Sequence, residues 1–232
     1  MLELSHRRSA AVSGLIFVAL DAVALFLPGS PPKASESAGH IAAALASHRA
    51  QLLVSMYVAG LAVIALLLFL ASVRSWLLEE QGDDGLTIAA VGGAIVGIGA
   101  QLVGMMLFYG ATFKVAGQHQ DALVRALTDA GNAGVELGKF GFAAFVAGVC
   151  LAGRQSLPAI VFRAGLASAA LLTVSAVSLF SEGALTQLGS GLDVVGGAPA
   201  LLWMLVLSIV LLRRHARTQP RGDLKSVPVA AS

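Results

Sequence analysis

The chain has 232 residues, of which 57% are hydrophobic and 12% charged, with a net charge of +2 and a mean hydropathy of +0.83. Ordinary globular domains carry about 25% charged residues, so this composition excludes a conventional water-solvated core and points to a chain dissolved in lipid. The positive balance comes largely from one C-terminal run, RRHARTQPRGDLK, so the basic pI does not indicate a nucleic-acid partner.

Crossing about 30 Å of hydrocarbon takes about 20 apolar residues in a helix. Six stretches meet this length: 9–27, 51–73, 86–109, 132–152, 158–180 and 194–212. They leave no room for a separate soluble domain. The expected fold is all-α: a polytopic membrane protein of six transmembrane helices in three hairpins, with N and C termini cytoplasmic and short helices in the first two outer loops. A single domain would occupy 1–212, followed by a flexible basic tail at 213–232.

The first stretch follows Arg7 and Arg8 and could be read as a cleaved signal peptide, but Asp21 in its middle favours a retained helix,. The outer connection after it holds ESAGHIAAALASHR, a short helix leading into the second span. Between the second and third spans lies the acidic turn EEQGDDG. The third span carries Gly93, Gly97 and Gly104 on one face, and the fourth carries Gly134, Gly138 and Gly141 with Gly148 close by,. Small residues in such stripes let helix backbones approach. Within the chain they are packing seams; between chains they would join a homo-oligomer or a membrane partner.

The second outer connection, GQHQDALVRALTDAG, reads as another short helix, ended by Gly131 and followed by Asn132 as cap of the fourth span,. These loop helices either cover the outer face or lie in the headgroup layer. The third outer loop, SEGALTQLGSGLD, is glycine-rich, and Pro199 beside Gly196 and Gly197 is expected to bend the sixth span,. Orientation follows from Lys and Arg. Arg7, Arg8, Arg74, Arg154, Arg163, Arg213, Arg214, Arg217, Arg221 and Lys225 stand on one side, against Lys33, Arg49, Lys114 and Arg125 on the other. The richer side is cytoplasmic, which places the protein in the cell (inner) membrane.

Polar residues inside the spans define the candidate site. Glu136 and Lys139 are three residues apart on the fourth helix, about 60° around it, and suited to a local ion pair,. Counting about 1.5 Å per residue from the outer boundary puts Lys139 at about 10 Å depth, Asp21 and Tyr57 at about 9 Å and Gln101 at about 12 Å. Ser175 and Trp203 fall within about one turn of this level. Because a charge in hydrocarbon costs several kcal/mol, Asp21 and Lys139 are expected to face inward, toward each other. The seven side chains form an outward-facing polar pocket for a small molecule or ion, or else a purely architectural pair.

Other chemistries lack their residues. All five histidines lie outside the spans, which argues against a membrane-embedded bis-histidine haem,. No His-x-x-x-His spacing occurs, so neither a metal nor another cofactor is expected,. No G-x-S-x-G or phosphate-binding loop is present, and no catalytic residue is assigned. Cys150, the one cysteine, reads as a small buried hydrophobe,.

The alanine- and glycine-rich spans, the long first outer loop and the ending ALLWMLVLSIVLLRR resemble functionally uncharacterised six-span bacterial integral membrane proteins of the actinobacterial type. The resemblance covers most of the chain in layout and carries no motif, so it implies a fold without an activity. The expected function is binding, or help in transport, of a small solute or ion. The alternatives are an integral membrane enzyme acting on a lipid-borne or hydrophobic substrate, and a structural or partner-binding membrane subunit.

Overall fold

The computed structural model describes residues 2–29, 36–81, 85–177 and 191–217, with side chains described for 12–29, 36–80, 85–177 and 196–214. The described residues are almost all helical, with no strand among them: α1 (Leu2–Phe26), α2 (Ala38–Ser47), α3 (Arg49–Gln81), α4 (Gly85–Tyr109), a π-helical turn (Gly110–Val115), α5 (Asp121–Ala152), α6 (Ala159–Ser175) and α7 (Gly191–Arg217). Among the described residues, four stretches are long and apolar enough to cross a membrane: Arg49–Glu80, Gly85–Val115, Asp121–Ala152 and Gly196–Arg214. Residues 82–84 of the acidic turn, residues 181–190 of the expected third outer loop and the tail beyond 217 lie outside the described residues.

Helix boundaries follow local chemistry. The Ser37 side chain accepts from the His40 backbone N–H at 3.3 Å and caps α2,. Gly117, with a left-handed φ of 87°, and His119, at 57°, break the path between the π-helical turn and α5,. Pro158 precedes α6, where its missing N–H and fixed φ cost nothing,. The chain continues helically through Pro199 in α7.

One expectation is corrected. No separate helix fills the second outer loop: residues 121–131 form the first third of α5, which passes through Gly131 and Asn132 without interruption. Gly131 does not terminate a helix. Its bare Cα lies against the Phe108 ring and the Gly104 carbonyl of α4, where a Cβ would come within 2.8 Å of the ring. Close packing thus claims the glycine that sequence logic assigned to a cap.

α5 is central. It packs on α4 along one face and on α6 along another, while α1 packs on α3 and α7, and α6 on α7. The glycine stripes of α4 and α5 meet as expected: a Cβ on Gly141 would reach the Gly93 carbonyl at 2.6 Å, and one on Gly97 the Gly138 carbonyl at 2.9 Å. The principal core contains Phe69, Val73, Leu77, Phe145, Val149, Leu207 and Leu211. A smaller cluster of Ile41, Ala42, Leu45, Ala111 and Val124 joins α2, the π-helical turn and the start of α5 as a cap at the other end. Outward-facing positions such as Ile64, Ile88, Val96 and Phe26 are large and apolar, the pattern that a lipid solvent permits.

Candidate functional site

The α5 helix divides into three faces at 100° per residue. Gly134, Gly138, Gly141 and Gly148 meet α4. Leu137, Phe140 and Leu151 are exposed. Glu136, Lys139 and Cys150 share the third face, and Cys150 abuts Gly165 of α6. This face places the two charges inside the protein, Glu136 2% and Lys139 5% exposed. The Lys139 Nζ donates to Glu136 Oε1 at 2.8 Å and stands 2.7 Å from Oε2. Both carboxylate oxygens therefore lie against one ammonium, an arrangement that offsets much of the cost of burying each charge.

Height along the antiparallel helices can be counted from the Cys150–Gly165 contact. Lys139 stands about 16 Å and Ser175 about 15 Å above it, at about 1.5 Å per residue. Ser175 is buried and its Oγ donates to the Leu172 carbonyl at 2.9 Å, while Gly196 of α7 lies directly against the Ser175 side chain. On the other side of α5, the aliphatic part of half-buried Gln101 fills the space beside Gly138. Ser175 thus stands at the height of Lys139, and Gln101 lies at a similar height across α5, on the face turned toward α4,.

The remaining candidates lie elsewhere. Asp21 is half-buried on α1, which packs on α3 and α7, and among the described residues it makes no ion pair; the expected Asp21–Lys139 pairing is not formed. Tyr57 is 70% exposed. Ser55 donates to the Ala24 carbonyl of α1 at 2.6 Å, and a residue two positions further along a helix points about 200° away. Trp203 sits about two turns below Lys139, by the same rise. Its indole enters the gap left by Gly165, donates to the Val161 carbonyl at 2.9 Å and meets the Phe145 ring edge-on at 6.3 Å. It is a core residue with its donor satisfied.

Two groupings escaped the sequence reading. At the end of the bundle opposite the cap, Arg214 donates to Glu80 Oε1 at 2.6 Å and to the Ser156 carbonyl, and lies over the Trp76 ring at 5.7 Å. This cluster joins α3, the α5–α6 turn and α7. The Trp76–Glu80 spacing, four residues apart on a helix, was the available signal,. At the cap, the Arg49 guanidinium donates to the Phe113 carbonyl at 3.1 Å. That contact spans the distance between two helices and had no local signature. Among the described residues, no group of three metal-ligating side chains occurs.

An α-helical protein with four helices, among the described residues, long and apolar enough to cross a membrane is the class these elements define. Compared with known protein families, curated proteins and solved structures, the chain matches none.

Proposed function

We propose that the protein is a six-span cell-membrane protein that binds, or helps move, a small solute or ion at a polar site centred on Glu136 and Lys139. The carrying observation is the buried, directly paired carboxylate and ammonium on the central helix. Ionisable groups held at membrane depth mark substrate and ion pathways more often than surface charges do. Lys139 is 13 residues above Ala152 at the inner end of α5, or about 20 Å of the roughly 30 Å hydrocarbon layer. The site therefore belongs to the outer part of the bilayer. An arriving anion competes with Glu136 for the ammonium, and a cation or proton competes with Lys139 for the carboxylate. The pair opens for a charged solute and closes after it leaves.

The test is flux across liposomes containing wild type, Glu136→Gln or Lys139→Met, with a trapped pH dye and a potassium electrode as separate readouts. Wild type is expected to carry flux above empty liposomes, and both variants to fall to the empty-liposome level. Equal flux in all three removes the transport reading. The proposed six-span topology makes its own prediction: an epitope inserted after Gln118 is reached by antibody in intact cells, and one inserted after Gln155 only after permeabilisation. The reverse pattern, or exposure of both, overturns the orientation.

A further inference from the structure

We propose that Arg49, Lys114 and the Tyr109–Phe113 stack form a headgroup seat for one anionic phospholipid of the outer leaflet, a surface that rests on the membrane-spanning reading of the fold. The π-helical turn continues α4 and carries Phe113 to the start of α3. The Arg49 guanidinium lies 4.8 Å and the Lys114 ammonium 4.7 Å from the centre of the Phe113 ring. Both charges are thus held within about 10 Å of each other by one aromatic ring. Tyr109 stacks on the same ring at 5.1 Å and 19°.

Neither cation takes part in an ion pair among the described residues, and both are exposed. Among the described residues, Glu36 pairs with His40 at 3.3 Å and Asp129 with Arg125 at 3.6 Å, while Asp121 stands at the start of α5 beside Gly39 of α2. Among the described residues, two like charges are thus held together with no acid paired to either, which suits a ligand that brings its own negative charge.

The surface leading away from this seat is apolar. Leu102, Met106 and Tyr109 recur at helical spacing on the exposed side of α4 and lead up to Phe113,. On α3, half-buried Leu53, Met56 and Gly60 form one stripe beneath Arg49, and nothing stands within 4 Å of the position a Gly60 Cβ would take,. A dication above an apolar, incompletely filled surface complements a phosphate headgroup with attached acyl chains. A zwitterionic lipid carries its own cation and gains less from the seat. The ligand class is thus a phospholipid of net negative charge, such as phosphatidylglycerol.

The experiment is native mass spectrometry of the full-length protein in detergent, titrated with phosphatidylglycerol or phosphatidylcholine. Wild type is expected to retain one phosphatidylglycerol in preference to phosphatidylcholine, and Arg49→Ala/Lys114→Ala to weaken that binding by about tenfold. Lys114→Ala alone removes no hydrogen bond between helices and should show a smaller loss in the same direction. Equal retention of the two lipids, unchanged binding in the double variant, or displacement by glycerol phosphate at equal concentration would each overturn the lipid seat. Liposome flux is read separately, so loss of lipid selectivity and loss of transport are distinguishable.

Discussion

Gly141→Ala is expected to lower the unfolding midpoint of the detergent-solubilised protein by the equivalent of about 2–3 kcal/mol, the cost of forcing a methyl group into a packed seam. The added Cβ would stand 2.6 Å from the Gly93 carbonyl oxygen and from the Gly97 Cα. Both neighbours are backbone atoms of α4, so no side chain can rotate away and the helices must separate. Gly99→Ala supplies the control, because no atom lies within 4 Å of its added Cβ. That variant should stay within about 0.5 kcal/mol of wild type, as exposed positions usually do. Thermal scans of the two purified variants decide the matter: coincident midpoints would mean that α4 and α5 do not pack as described.

The second large effect concerns the buried pair. Lys139→Met removes the ammonium 2.7 Å from Glu136 Oε2 and leaves a carboxylate in the bundle interior without that cation. Breaking a buried pair in this way costs about 3–5 kcal/mol. Replacing both partners, Glu136→Leu/Lys139→Met, removes both charges at once and should recover stability to within about 1 kcal/mol of wild type. Liposome flux should remain absent in the double variant. Recovery of stability without recovery of flux assigns the pair to solute handling, whereas recovery of both would make it architecture alone. A double variant as unstable as the single one would show that the two groups do not compensate each other.

Local regularities were legible in the sequence because they depend on one helix at a time. Three-residue spacing predicted the Glu136–Lys139 contact, and the angular positions of Gly97, Gly138 and Gly141 predicted a seam. Relations between helices were harder to read. Counting residues places Asp21 at the height of Lys139 but says nothing about which helices are neighbours, and α1 packs on α3 and α7. Tyr57 is exposed, a direction that a count of height does not indicate. Trp203 was drawn away from the expected layer by a gap at Gly165 on another helix. Gly131 illustrates competing uses of one residue type: a glycine between polar residues signals a helix end, yet here its smallness is used against Phe108.

Arg214 adds a related lesson. Its place in a basic run is what charge counting expects of a cytoplasmic flank,, and its guanidinium joins Glu80 and the Ser156 carbonyl. A charge expected to orient a helix thus also ties together three parts of the bundle. Charge counting captures the first role, and only neighbouring chain segments disclose the second.

The lone thiol has a practical consequence. Cys150 is fully buried where α5 meets Gly165 of α6, so an alkylating reagent reaches it only after those two helices part. Its rate of modification is a native clock for opening of the bundle, available in the unaltered protein without an engineered label.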